Sequence, residues 1–324
     1  METVQLAGLE RPWSRVVLGT MTFGDTADAR EAAAMVEAAL EAGITSLDTA
    51  NVYAGGETER ILADILRDRD DVLLATKAGM PHPDAGDHAP LSAAGLRACL
   101  EASLRRLGRD RVDLFYLHKP DRDTPVTETM ATLADLVGEG RVGAVGVSNH
   151  AAWQIADVNA VADQAGCPRP VVAQQLYNVV GRRLEEEYAE FAATTGLHTV
   201  AYNPLAGGLL TGRYQPDEEP VDGRFGSSAM AERYRDRYWN QQTFAAVAEL
   251  TRVAEEAGLS LVELSLRWLL GRPATGSVLI GSSRTAQLRQ NLDALARGPL
   301  PEDVQRACDD VGDRLRGPMP RYNR

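Results

Sequence analysis

The stretch Val-Val-Leu-Gly-Thr-Met-Thr-Phe-Gly-Asp, residues 16–25, decides between the two architectures open to a chain that alternates strands and helices. Its first half is a short, near-continuous apolar run, the pattern of a parallel strand buried on both faces. Its second half leads into a segment of helical spacing at 29–42. An open doubly wound sheet wants a Gly-x-Gly-x-x-Gly turn at this point to cradle a dinucleotide. The residues after Thr20 have no such spacing. Seven more apolar runs follow, at 46–50, 72–77, 114–118, 144–149, 171–177, 198–205 and 277–283. Helical stretches separate them at 57–67, 92–107, 126–139, 151–164, 184–195, 241–257 and 285–295. Eight strand–helix repeats predict an α/β fold, a closed (β/α)8 TIM barrel forming a single domain over 1–324.

Punctuation agrees with these bounds. Gly43 and Gly108 stand where helix C-caps belong, and Ser92 and Asn149 where N-caps belong. Two features break the regular spacing. Residues 206–240 form a long insert after the seventh strand, and 260–270 reads as an extra helix before the eighth. Long loops of this kind are usually functional, and Tyr214, Phe225, Tyr234, Tyr238 and Trp239 favour an ordered lid.

Composition narrows the function class. The chain of 324 residues is 44% hydrophobic and 25% charged, ordinary for a soluble protein with a sizeable core. Its 34 Lys+Arg against 46 Asp+Glu leave a net charge of −12, which argues against non-specific attraction to nucleic acid or to an anionic membrane. Cys99, Cys167 and Cys308 are too few and too scattered for a disulfide framework or a zinc ribbon. No run is long enough to span a membrane, and residues 1–12 lack a signal-peptide core. A cytoplasmic enzyme is the expectation, and no metal is implied. His82, Asp84, Asp87 and His88 lie together, but with irregular spacing that reads as an exposed polar loop. The run Arg182, Arg183, Glu185, Glu186, Glu187 reads as charge at a helix start.

In an α/β barrel the active site is built from the C-terminal ends of the strands. The second strand ends in Asp48, with Tyr53 in the loop beyond it. The third ends in Lys77 and the fourth in His118. Singly, each has an ordinary explanation, such as an ion pair or a satisfied core histidine. Together at one mouth they are harder to dismiss, because an unpaired buried Lys or Asp costs several kcal/mol, so Lys77 is expected to pair with Asp48. An adjacent ammonium lowers the pKa of a phenol, and a neutral imidazole can donate a hydrogen bond to a substrate oxygen. This set suits protonation of an alkoxide forming from a carbonyl. No nucleophile elbow or Cys–His pair is evident, so carbonyl reduction with a nicotinamide hydride donor is the chemistry implied.

These residues sit in recognisable motifs. Leu-Gly-Thr-Met-Thr-Phe-Gly (18–24), Ser-Leu-Asp-Thr-Ala-Asn-Val-Tyr (46–53), Ala-Thr-Lys-Ala-Gly (75–79) and Leu-His-Lys-Pro-Asp (117–121) resemble the aldo-keto reductase superfamily. The resemblance continues through Arg-Val-Gly-Ala-Val-Gly-Val-Ser-Asn (141–149), Gln174, residues 202–212 and Leu-Ile-Gly-Ser-Ser-Arg (279–284), nearly the whole chain. Gly-Arg-Phe at 223–225 and Arg-Tyr-Trp at 237–239 look most like the aflatoxin-aldehyde and succinic semialdehyde reductase branch. The resemblance implies an NADPH-dependent reductase of an aldehyde or ketone, acting on a reactive aldehyde or a secondary-metabolite carbonyl. Tyr53 would be the proton donor, tuned by Lys77 and Asp48, with His118 orienting the carbonyl. Ser148, Asn149 and Gln174 would hold the carboxamide, and Tyr202 would stack on the nicotinamide. Gly19, Thr20 and Met21 would line the ribose side. Asn203, Pro204, Leu205, Gly207, Leu210 and Gly212 would fold over the pyrophosphate. Potassium-channel β subunits share the superfamily, so a nicotinamide-binding regulatory subunit is the alternative. The branch implies a monomer or homodimer.

At the far end of the cofactor, the resemblance points to Ile280, Gly281, Ser282, Ser283, Arg284, Gln287, Gln290 and Asn291. A helix N-terminus with two hydroxyls and an arginine is a ready anion site. Gln287 departs from the arginine that many members carry toward the 2′-phosphate, which bears on how strictly NADPH is preferred. For substrate, Phe23, Tyr53, His118, Trp239 and residues 319–324 are the expected pocket walls. Arg224, Arg233, Arg235 and Arg237 are candidate clamps for an acidic group.

Overall fold

The computed structural model describes residues 1–317 apart from 227 and 229. An antiparallel hairpin, β1 (Thr3–Val4) with β2 (Trp13–Ser14), precedes the barrel. The barrel strands are β3 (Val16–Gly19), β4 (Ser46–Asp48), β5 (Leu73–Ala78), β6 (Val112–Leu117), β7 (Val142–Ser148), β8 (Val172–Leu176), β9 (His198–Tyr202) and β10 (Ser277–Ile280). They pair in parallel in chain order, and β10 closes on β3. The surrounding helices are α1 (Ala29–Glu41), α2 (Glu57–Ile65), α3 (Ala93–Leu107), α4 (Val126–Gly138), α5 (Ala152–Ala165) and α6 (Tyr188–Thr195). After β9 come α7 (Ala231–Tyr238), α8 (Gln241–Glu256) and α9 (Leu261–Leu270), and after β10 come α10 (Thr285–Ala296) and α11 (Glu302–Arg314).

Strand side chains alternate between the two faces, and this divides the core in two. Leu18, Leu47, Leu74, Phe115, Val145 and Val278 point outward and pack under the helices. Val17, Leu73, Ala75, Leu114, Tyr116, Ala144, Val172 and Val200 fill the interior together with Leu6, Leu9 and Trp13 of the N-terminal hairpin, which plugs the barrel floor. The sequence reading missed this hairpin, because two strands of two residues are too short to show a period. Gly146 makes room for the interior: a Cβ there would lie 2.6 Å from the Tyr116 ring.

Of the expected caps, Ser92 accepts from Gly95 N, and Gly108 ends α3 in the left-handed conformation. Asn149 is not an N-cap. Ala151 holds that position, with its N–H satisfied by Gln154 Oε1 at 2.9 Å. The 184–195 stretch also differs: a 3-10 turn at Arg183–Glu186 is separated from α6 by Glu187 at φ −144°. A buried ion pair lies at the break. Arg182 binds Glu185 through Nε at 2.9 Å and Nη2 at 3.0 Å, and Tyr177 OH and Arg272 reach the same carboxylate. Glu185 and Glu186 do stand in the first turn of that 3-10 helix, and of the run Arg182 is buried while Arg183, Glu186 and Glu187 are exposed. The described part of the insert packs around Trp239, which meets Tyr214, Phe225 and Phe244 at ring distances of 5.7, 5.2 and 5.0 Å. All three cysteines are free and buried, and burial pushes the Cys99 thiol up to about 11.

Candidate active site

The same alternation that builds the interior delivers one inward position per strand to the barrel mouth. Continuing by twos from the interior residues gives Gly19, Asp48, Lys77, His118, Ser148, Gln174, Tyr202 and Gly281. The register Gly19↔Asp48 and Ser148↔Gln174 sets several of them side by side. Every one of these was an expected site residue.

Lys77 is fully buried and donates to Asp48 Oδ1, to Thr49 O at 2.9 Å and to Tyr53 OH at 3.3 Å. Asp48 is held from the other side by Gln174 Nε2 at 2.8 Å. Burial works against the Lys77 ammonium, but Asp48 and Tyr53 outweigh it and hold its pKa above the ordinary value. Burial likewise pushes the Asp48 carboxyl up, opposed by Lys77 and Gln174. The proton stays on Lys77, whose Nζ has three oxygen acceptors around it. For Tyr53 the direction reverses the sequence expectation. Burial raises the phenol pKa, the nearby Lys77 charge lowers it, and Asp48 adds to the rise. The ring stands edge-on to His118 at 6.1 Å and 85°. Burial, then the charges of Lys77, Lys119 and Arg233, lower the His118 pKa to about 3, so the imidazole is neutral. Its buried Nδ1 has no hydrogen-bond partner among the described residues.

A second net joins the mouth residues beside this cluster. Asn149, at φ +60°, donates from Nδ2 to His118 O at 2.9 Å and Ser148 Oγ at 3.0 Å. Its Oδ1 accepts from Tyr202 OH at 2.6 Å. Thr20 donates through Oγ1 to Asp48 O at 2.9 Å, and Met21 is half-buried next to it. After β9 the backbone turns left-handed at Asn203, Ala206, Gly207 and Gly208. Gly207 N donates to Asn203 Oδ1 at 2.6 Å, and Gly212 closes the turn. Pro204 is buried and Leu205 half-buried, while Leu210 puts its side chain into the core. At Gly207 a Cβ would come within 2.5 Å of the Tyr234 ring, so α7 lies directly over this loop.

At the end of β10, Ile280 is buried, and Gly281 just beyond it is exposed. Ser282 O accepts from Thr22 Oγ1 at 2.7 Å, Ser283 Oγ donates to Gln287 Oε1 at 3.2 Å, and Asn291 Nδ2 lies 3.4 Å from Ser282 Oγ. Arg284, Gln287 and Gln290 are exposed. The start of α10 already holds an anion. Glu31 of α1 accepts from both Thr285 N and Thr285 Oγ1. Nothing in the sequence spacing pointed to Glu31, which lies 254 residues away.

Among the expected pocket walls, Phe23 is fully buried in the core beneath the first loop, so it does not line a pocket. Trp239 is half-buried within the lid's aromatic cluster. Residues 319–324 lie outside the described residues. The lid arginines separate by partner. Arg224 lies 3.8 Å from Asp25, Arg235 donates to Phe225 O at 2.6 Å, and Arg237 stands over Tyr234 and Tyr238 at 5.9 Å. Arg233 is exposed, and its charge is felt at His118. The 82–88 loop is less exposed than expected, because Arg106 binds Asp84 at 2.6 and 2.9 Å and the buried Glu59 at 2.7 Å. No group of three or more His, Cys, Asp or Glu suited to a metal occurs among the described residues, and no described helix is long and apolar enough to cross a membrane.

Known proteins match this chain along most of its length. Residues 15–313 fit the Aldo/keto reductase family. Aflatoxin B1 aldehyde reductase member 2 of Rattus norvegicus is 37% identical over 324 residues, covering 95% of this chain and 87% of its own. Human aldo-keto reductase family 7 member A3 is 38% identical, covering 98% and 99%. A probable voltage-gated potassium channel subunit beta of Oryza sativa subsp. japonica is 35% identical, covering 88% and 89%. With the barrel closed and its mouth lined as described, the chain belongs to the aldo/keto reductase family and is an oxidoreductase.

Proposed function

We propose that this protein reduces an aldehyde or ketone to the alcohol with NADPH, using Tyr53 as the proton donor. The contact that carries the reading is Lys77 Nζ on Tyr53 OH at 3.3 Å, backed by Asp48 and facing a neutral His118. The residues fit a nicotinamide dinucleotide on their chemistry. Ser148, Asn149 and Gln174 offer amide and hydroxyl groups suited to a carboxamide, and the half-exposed Tyr202 ring offers a flat face. Gly19 and Gly281 leave bare backbone beside each other, since a Cβ on Gly281 would meet only Gly19 O, at 3.4 Å.

When bound, the cofactor supplies the hydride that goes to the carbonyl carbon. His118 donates a hydrogen bond to the carbonyl oxygen and draws electron density onto it. As the C=O π pair moves to oxygen, the Tyr53 hydroxyl delivers its proton there. Burial keeps that proton on the phenol until a strongly basic alkoxide develops, and the Lys77 ammonium then stabilises the phenolate. Asp48 fixes Lys77 in place, and solvent returns the proton to Tyr53.

Relatives named for aflatoxin B1 aldehyde support an aldehyde as substrate. Tyr53→Phe tests the mechanism: reduction should fall by about 10²–10⁴-fold, while NADPH still quenches the intrinsic tryptophan fluorescence with parent affinity. A variant that reduces carbonyls at the parent rate overturns the proton-donor assignment. Relatives named as potassium channel β subunits favour a second reading, a nicotinamide-binding regulator. Negligible turnover on every carbonyl tried, with tight cofactor binding and a stable membrane partner, would establish it.

A further inference from the structure

We infer that Glu31 sets the cofactor preference of this protein by placing a fixed negative charge where a 2′-phosphate would dock. The inference rests on the cofactor reading above and deepens it. At the start of α10, which follows Gly281 of that proposed site, an acidic side chain of this chain already occupies the first helix donors. Its first N–H, Thr285 N, and the Thr285 hydroxyl both donate to Glu31 Oε1. The N–H groups of Ala286 and Gln287 have no partner among the described residues, and no side chain of α10's own N-cap, Arg284, satisfies them. A phosphate drawn to those groups would lie within a helix turn of the Glu31 carboxylate. The Thr285 bonds hold the Glu31 pKa below the ordinary carboxylate value, with Arg284 contributing, so the charge is present at neutral pH.

Two consequences follow from elementary electrostatics. An anion at the first turn of a helix stabilises that turn, so the free protein keeps its β10–α10 loop closed by Glu31 and by the Thr22–Ser282 bond. A doubly charged phosphate arriving there must share the helix start with a carboxylate, whereas the free 2′-hydroxyl of NADH meets no such repulsion. Glu31 therefore works against Arg284, the exposed cation of the same turn, and narrows the advantage of NADPH over NADH. Gln287, which offers no charge at the same turn, does nothing to restore it.

Glu31→Gln isolates the charge, because the amide oxygen can still accept from Thr285. Binding is read by calorimetry with 2′,5′-ADP and 5′-AMP, fragments that carry the phosphate end without the nicotinamide, and by fluorescence titration with NADPH and NADH. The expected result is roughly a three- to tenfold gain in affinity for 2′,5′-ADP and NADPH, with 5′-AMP and NADH unchanged. Equal affinities of parent and variant for 2′,5′-ADP overturn the inference while leaving the cofactor reading intact. A gain shared equally by both fragments also overturns it, since it would mean that Glu31 acts as a latch on the loop and not through its charge. Glu31→Ala serves as the comparison for that latch. If the parent protein binds neither NADPH nor NADH, it is the cofactor reading that fails.

Discussion

Two buried ionic clusters in this molecule look alike on paper and differ in what they leave undone. The Arg182 guanidinium has an acceptor at each of its three nitrogens. The guanidinium grips Glu185 with two bonds, reaches Asp309 O at 3.0 Å and lies 5.4 Å over the Trp268 ring. Burial opposes the Glu185 carboxylate, but Arg182 and the Tyr177 hydroxyl outweigh it and hold its pKa at about 2. The Asp48–Lys77 pair is also deeply buried, yet it ends on a phenol that accepts from Lys77 and faces a histidine nitrogen with no partner among the described residues. A cluster closed on itself locks elements together. A cluster left open at one end can exchange a proton with something that enters.

Breaking each cluster in turn tests that contrast. Lys77→Met should abolish reduction and also destabilise the fold by about 3–5 kcal/mol, because Asp48 loses its counter-ion in the interior. Arg182→Met should cost about 2 kcal/mol, softened by Arg272, Arg316 and Tyr177 on the same carboxylate. Its turnover per folded molecule should match the parent's. Denaturant melts beside kinetics on both variants decide the matter, and a large loss of turnover in Arg182→Met would erase the distinction.

Acid sharpens the comparison next. His118 is lowered to about 3, and His150 and His198 to about 4, all chiefly by burial. Each has a folded pKa below its unfolded value near 6.5. The unfolded chain therefore binds protons first, and stability present above pH 6.5 is lost as pH falls toward 4. Each histidine should cost roughly 2 kcal/mol between pH 6.5 and 5. Glu185 adds its own loss only below pH 4.5, on the way to 2. Thermal melts from pH 8 to 4 should show the midpoint falling once below 6.5, and a flat profile down to pH 5 would contradict the buried neutral histidines. The smallest effect belongs to the lid. Gly207→Ala places a Cβ against the Tyr234 ring at φ +71°, which should cost about 1–2 kcal/mol and displace α7. Faster proteolysis within 213–240 would report the displacement, and an unchanged cleavage rate would count against the packing described.

Much of the barrel could be read in advance because period 2 and period 3.6 are local properties of a chain. The apolar runs at 16–20 and 72–77 needed no partner to announce themselves, and the motifs around Asp48, Tyr53, Lys77 and His118 ended on the inward parity of their strands. Features set by distant partners stayed invisible. The floor hairpin is legible only through the interior it plugs, and the ion pairing beside Glu187 only through Arg182 and Arg272. Phe23 was placed on the pocket wall because its loop is at the mouth, whereas its side chain turns under the loop into the core. Asn149 looked like a cap by its position before a helix, but its φ of +60° turns the amide toward His118 O and Tyr202 instead.

Alternation along each strand was enough to say which residues face the mouth, since neighbouring side chains must point to opposite faces. The order of the strands followed from their sequence, since parallel crossovers join neighbours. Charge states did not follow. The adjacent Lys77 promised a lowered phenol pKa, and the depth of burial around Tyr53 reversed it. Nor could spacing reveal that Glu31 closes the start of α10 from the far end of the chain. Desolvation and contacts between remote segments depend on the whole packed molecule, and only the folded barrel settles them.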